Sequence, residues 1–240
     1  VKYFLFVLAF CASSHASTVL FVGDSHTTGP FGKKLDELIR AQHSVMTRGA
    51  CGTIGQNWEL GTSTTCAKWN WGRDIDGKEI ISPETPKLEA LIETINPEYV
   101  ILQFGGNYRS KLKDDQFSIP EDVSRLIKTA KKLGAKCLFV TGPDTYVMRS
   151  LLPDTVDQIQ QGVGQDCAFF NSLEVTQYPD EYVGKRRPDG KKYTDGKHYS
   201  FLPAGEPLAH AWAEKVFMSF TELQQSISLS SEADELHSQE

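Results

Sequence analysis

The chain contains no Cys-x-x-Cys pair and no His-x-x-x-His pair, so it lacks the ligand spacing of a structural zinc site. Positive charge is not in excess: 25 Lys and Arg face 31 Asp and Glu, a net charge of −6. The surface as a whole therefore offers no general attraction for nucleic acid. Long apolar runs are missing too. Tyr3 to Ala12 spans ten residues, about half of the roughly 20 that a membrane-spanning helix needs, so no stable membrane insertion is expected. Gly29-Pro30-Phe31-Gly32-Lys33 lacks the spacing of a phosphate-binding P-loop, and nucleotide binding is rejected on that ground. No internal repeat or interdomain linker stands out.

What is present suits one globular domain. Of the 240 residues 40% are apolar and 23% charged, enough to build a core. Lys2, the apolar run behind it and the small residues of Ser14-His15-Ala16 read as an export signal, residues 1–16, cleaved before Ser17. Lipid attachment at Cys11 is disfavoured by the bulky Phe10 before it. Residues 17–222 form the expected domain, and residues 223–240, polar and acidic, an expected disordered tail. The destination is periplasmic or extracellular, where disulfides persist. Cys51, Cys66, Cys137 and Cys167 remain after cleavage. Three pairings are open; Cys51 with Cys66 closes a short loop, and Cys137 with Cys167 joins the starts of two expected strands.

The apolar pattern alternates between two periods. Thr18 to Gly23, Ser44 to Thr47, Tyr99 to Phe104, Cys137 to Thr141 and Ala168 to Asn171 read as short strands, most of them apolar throughout and hence buried on both faces. Between them lie amphipathic segments: one after Pro30, then Lys87 to Asn96, Glu121 to Leu133 and Val156 to Val163, with a final helix from about Pro203 to Leu223. Strands alternating with helices predict an α/β fold, a three-layer α/β/α sandwich on a five-stranded parallel sheet. Two long insertions, Ala50 to Pro86 and Leu173 to Lys197, begin where strands end, on the side where such sheets carry their sites.

Chemistry-bearing residues stand at those strand ends. Ser25, in Gly23-Asp24-Ser25-His26, follows the first strand, and a serine hydroxyl becomes a nucleophile when a base takes its proton. His198, in Asp195-Gly196-Lys197-His198, is the candidate base, with Asp195 to orient the imidazole. The N–H of Ser25, the N–H of Gly52 and the side-chain amide of Asn107 are candidates for an oxyanion hole. They converge if the first strand lies between the second and third, as in the common 2-1-3-4-5 order. Each piece alone is an ordinary turn sequence; the set of five makes the argument.

These ordered blocks, Gly23-Asp24-Ser25, Arg48 to Gly52, Gly105-Gly106-Asn107 and Asp195 to His198, resemble those of the SGNH/GDSL hydrolase superfamily. The resemblance implies a flavodoxin-like sandwich and a serine esterase or acyl hydrolase working through an acyl-serine. Tyr108 stands where the superfamily often has Asp, and His26 where Leu is frequent. Gly-Asp-Ser-His is similar to members that handle O-acetyl groups on sugars and cell-wall polymers. No cofactor and no metal are called for.

Further candidates line up around this set. Trp58, Trp69 and Trp71 fall in the first insertion, where rings at a loop mouth stack on a sugar, line an acyl pocket, or simply pack the insertion down. Lys185, Arg186, Arg187, Lys191, Lys192 and Lys197 crowd the second, as a field for anionic substrates or as a solvated loop. His26, Tyr108 and Arg187 complete the candidate substrate contacts. The expectation is an exported, monomeric esterase removing small acyl groups, O-acetyl above all, from a carbohydrate or cell-wall polymer. The alternatives are a lysophospholipase or thioesterase, a sugar O-acetyltransferase, and a non-catalytic glycan-binding protein on the same scaffold.

Overall fold

A computed structural model describes residues 16–147 and 149–237; the expected export signal lies, but for Ala16, outside the described residues. Its strands are β1 (Thr18–Gly23), β2 (Ser44–Gly49), β3 (Trp71–Arg73), β4 (Glu79–Ile80), β5 (Tyr99–Gln103), β6 (Lys136–Val140) and β7 (Ala168–Phe170). Its helices are α1 (Pro30–Arg40), α2 (Gly55–Leu60), α3 (Leu88–Ile95), α4 (Ile119–Ala130), α5 (Leu152–Val163) and α6 (Gly205–His237). The sheet has seven strands in the order β4-β3-β2-β1-β5-β6-β7. β2, β1, β5, β6 and β7 pair in parallel, whereas β3 and β4 add on antiparallel beyond β2. The expectation of five parallel strands is thus corrected to a mixed sheet of seven. The two extra strands come from the first insertion, and a Trp-Gly-Arg and a Glu-Ile stretch are too short to show any period.

The alternating directions of side chains along a strand build two cores. Leu20 and Val22 of β1 face α2 to α5, joining Trp58, Ile92, Val123 and Ile159. Val19 and Phe21 face the other way and meet Phe31, Leu35 and Ile39 of α1 with Trp212, Val216 and Phe220 of α6. Both sets recur at helical spacing, and each fully buried large apolar side chain contributes roughly 2–3 kcal/mol. This is the three-layer arrangement. Local chemistry sets the ends of the helices. Pro30 opens α1, the Ser118 hydroxyl accepts the Glu121 N–H at 3.4 Å to cap α4, and Asn96 closes α3 at φ 46°. α6 starts at Gly205 and continues past Leu223 to His237, beyond the end expected for the last helix.

Two disulfides link Cys51 to Cys66 and Cys137 to Cys167, with Cα separations of 5.6 and 5.0 Å. The second bridges neighbouring parallel strands one residue before the pair Leu138 and Ala168. The first closes a 15-residue separation, worth about 3 kcal/mol in chain entropy.

Candidate active site

Ser25 sits in the turn that leaves β1 at the centre of the sheet. That turn folds back so tightly that a Cβ on Gly23 would lie 2.1 Å from Thr27 Oγ1 and 2.7 Å from the Gln103 carbonyl, which excludes any larger residue. The turn is held by Asp24, whose N–H donates to Gln103 O at 3.1 Å and whose Oδ1 accepts the His26 N–H at 2.9 Å.

The second insertion brings the base. Ser25 Oγ lies 2.7 Å from His198 Nε2, and His198 Nδ1 lies 2.6 Å from Asp195 Oδ2. With Nδ1 protonated, the serine hydroxyl donates to the imidazole and the imidazole donates to the carboxylate. Asp195 Oδ1 also accepts the N–H groups of Lys197 and His198 at 2.8 and 2.9 Å. Partial burial alone would raise the Asp195 pKa, but the imidazole and these backbone donors outweigh it and hold the carboxyl down at about 2. It is therefore ionised wherever the histidine is a useful base.

The candidate oxyanion donors stand on loops that follow both neighbours of β1. Gly23 pairs with Gly49 of β2 on one side and Gln103 of β5 on the other, so the loops that follow those strands flank Ser25. Asn107 Nδ2 donates to Thr53 O at 3.0 Å, which fastens the loop after β5 to the residue beside Gly52 and leaves a second amide hydrogen. Gly52 adopts φ 73°, a conformation that favours glycine. Among the described residues, neither the Ser25 nor the Gly52 N–H donates to a protein acceptor. In the 2-1-3-4-5 order of the parallel strands, the loops carrying these groups follow the two neighbours of β1.

The other candidates divide. His26 is buried beside the site, its ring 5.2 Å from that of His198 and 5.7 Å from that of Trp212. Burial, with the nearby His198 and Arg109, pushes its pKa well down, so it stays neutral. Trp69 is exposed. Arg187 is exposed too; its Nη2 donates to Phe201 O at 3.4 Å. Trp58, Trp71 and Tyr108 are buried, and substrate contact is corrected for all three. The Trp58 indole N–H donates to Thr53 Oγ1 at 3.0 Å and that of Trp71 to Glu79 at 2.5 Å, so these rings pack the first insertion onto the domain. Trp69 ends a short 3-10 turn, Ala67–Trp69. The Tyr108 hydroxyl donates to buried Asp122 at 2.7 Å and accepts the Gly55 N–H at 3.0 Å. It ties α2 and α4 together behind Asn107.

Four residues outside the sequence-derived site set belong to the surroundings. Arg109, buried, donates from Nε to Gly106 O at 2.8 Å and from Nη1 to Thr145 Oγ1 and Val147 O. The Val147 N–H in turn donates to Gly196 O at 3.0 Å. Arg109 thus braces the Asn107 turn against the turn carrying Asp195 and His198. Phe201 and Tyr146, 50% and 47% exposed, stand at the rim. Asp24, fully buried with Oδ2 lacking a partner, is raised by that burial to a pKa of about 6. A narrow cleft lined by Ser25, His26, Pro30, Phe31, His198 and Ala209 encloses ≈ 10 Å³, room for about one water molecule. Among the described residues no group of three or more His, Cys, Asp or Glu is placed to hold a metal ion, and no helix is long and apolar enough to cross a membrane.

No family profile matches the sequence, and no curated protein does. Solved structures do match, 26 chains in all. One is a peptidoglycan O-acetylesterase, 12% identical, covering 89% of this chain and 93% of its own at a TM-score of 0.54. Another is a putative lipolytic protein of the G-D-S-L family from Desulfitobacterium hafniense, 12% identical, covering 83% and 99% at a TM-score of 0.52. A third is an acetyl esterase variant with an acetate ion, 8% identical, covering 88% and 99% at a TM-score of 0.51. At such identities the likeness is one of fold.

Proposed function

We propose that this chain, which has the SGNH/GDSL hydrolase fold, is a serine esterase that removes acetyl groups from an O-acetylated glycan. The observation that carries this reading is the continuous Ser25–His198–Asp195 hydrogen-bond chain set at the mouth of two loops with free N–H groups. In the first half-reaction Ser25 Oγ forms a bond to the acyl carbon while His198 Nε2 takes the hydroxyl proton. The N–H groups of Ser25 and Gly52 and the Asn107 amide receive the charge on the carbonyl oxygen, each such donor being worth about 3–4 kcal/mol in the transition state. The tetrahedral intermediate collapses as His198 returns the proton to the leaving alcohol. Water, deprotonated by the same histidine, then releases acetate and restores Ser25. Asp195 holds the tautomer and stabilises the imidazolium throughout.

The choice of a short acyl group rests on the Gly-Asp-Ser-His sequence around the nucleophile, which is similar to that of proteins handling O-acetyl groups. A peptidoglycan O-acetylesterase and an acetyl esterase among the proteins of like fold support the same choice. The two disulfides support an oxidising destination outside the cytoplasm. The test is a p-nitrophenyl ester series from acetate to palmitate, run with acetate release from O-acetylated peptidoglycan. Turnover confined to short chains and to acetylated glycan supports the reading; preference for long chains would move the activity to lipids.

A further inference from the structure

The base fixes where the alcohol half of the ester must lie. Because His198 returns its proton to the leaving oxygen, the alcohol occupies the solvent side of that imidazole. Two exposed aromatic residues lie near the turn that carries Asp195 and His198. Phe201 meets His198 edge to face, with ring centroids 5.9 Å apart, yet half of its surface stays open. Tyr146 is set against the same turn by the Val147 N–H bond to Gly196 O. The fold fixes the position of Phe201: it ends the short 3-10 turn Tyr199–Phe201, whose first residue is buried against Tyr178, with ring centroids 5.6 Å apart. Its carbonyl takes the Arg187 guanidinium, and that cation also lies 5.9 Å from the Tyr193 ring.

We propose that Phe201 is the subsite for the alcohol part of the substrate, and that this alcohol is a sugar ring of a carboxylate-bearing glycan. The inference rests on the esterase reading of the same site. A flat open ring flanked by backbone polar groups and the exposed Ser200 offers an apolar face together with hydrogen-bonding partners, which matches the amphipathic faces of a sugar. An alkyl chain would need enclosure, which this rim does not provide. The neighbouring hairpin, closed by the bridge between Arg186 and Lys192, adds Lys185, Arg187 and Lys191 on the exposed side, a field suited to carboxylates.

The test compares one small and one polymeric ester in wild type, Phe201→Ala, Phe201→Trp and Arg187→Gln. Phe201→Ala should raise KM for O-acetylated peptidoglycan about tenfold while p-nitrophenyl acetate turnover and fluorophosphonate labelling of Ser25 change less than twofold. Phe201→Trp should restore glycan KM, and Arg187→Gln should weaken acetylated peptidoglycan more than neutral acetylated xylan. An equal loss on both esters in Phe201→Ala would overturn the proposal, since Phe201 would then only pack His198; so would no loss on either. A wild type that cleaves p-nitrophenyl acetate through Ser25 but no glycan acetate would overturn the subsite and leave the esterase standing. A wild type in which Ser25 neither labels nor matters would overturn both.

Discussion

The two insertions of this fold make opposite use of their chain. Residues 50–86 become structure: a disulfide at the root, helix α2, two antiparallel strands and the buried indoles of Trp58 and Trp71. Residues 173–197 add no strand to the sheet, and 184–192 are exposed throughout. The first presents Gly52, the proposed oxyanion donor, and such a donor works best preorganised. The second leads to His198 and is anchored by the Tyr178 bond to Thr194, by Arg149 spanning Asp144, Asp180 and the Tyr178 carbonyl, and by Tyr182 and Val183 against the core. On the proposed mechanism, the more heavily packed insertion carries the oxyanion donor and the more exposed one the base.

Disabling the chemistry gives the largest effect. Ser25→Ala and His198→Ala should each lower kcat on p-nitrophenyl acetate by roughly 10³-fold or more while the thermal unfolding midpoint stays near that of wild type. Removing support between the two regions comes next. Asn107→Ala should lower kcat by roughly 10²-fold, and Arg109→Met, which cuts the brace from the Gly106 carbonyl to the loop beside Gly196, should lower kcat while leaving KM within about threefold, read from steady-state kinetics.

Cys51→Ser paired with Cys66→Ser separates stability from chemistry in the first insertion. Losing the bridge should cost about 3 kcal/mol by denaturant titration, and activity should fall with the order of the Gly52 loop. Asp24 gives a pH-dependent comparison. Its pKa is raised by burial to about 6 from an unfolded value of about 3.9. Its contribution is fully present below about pH 4 and is lost as pH rises through about 6, when the buried carboxyl ionises. Asp24→Asn, which keeps an acceptor for the His26 N–H, should therefore gain stability over wild type as pH rises from 4 to 7, by up to about 3 kcal/mol. The smallest effect belongs to the hairpin: replacing Lys185, Arg186, Lys191 and Lys192 by Gln should shift stability by no more than about 0.5 kcal/mol and flatten the salt dependence of glycan turnover.

The parallel core was readable in the sequence because strands buried on both faces are written as short apolar runs, and Thr18–Gly23 and Tyr99–Gln103 carry that signature. β3 and β4 were not, since a three-residue and a two-residue edge strand have no room for a period and exist because β2 offers them an edge. Ser25, Gly52, Asn107, Asp195 and His198 were legible as an ordered set because each follows or ends an identifiable segment. The same reading misplaced Trp58, Trp71 and Tyr108. Aromatic residues in a loop look alike whether they face solvent or a core, and only packing distinguishes them. Arg109 and Phe201 carried no local signal: the first reaches Thr145 and Val147, 36 and 38 residues away, and the second earns its position from the turn that brings His198 to Ser25.

The most direct test of the central claim is the intact mass of the protein after treatment with a fluorophosphonate at neutral pH. The account predicts one adduct per chain, mapped to Ser25, abolished in Ser25→Ala and strongly slowed in His198→Ala. A folded protein that takes no adduct, or takes it at another residue with Ser25→Ala unaffected, would contradict it.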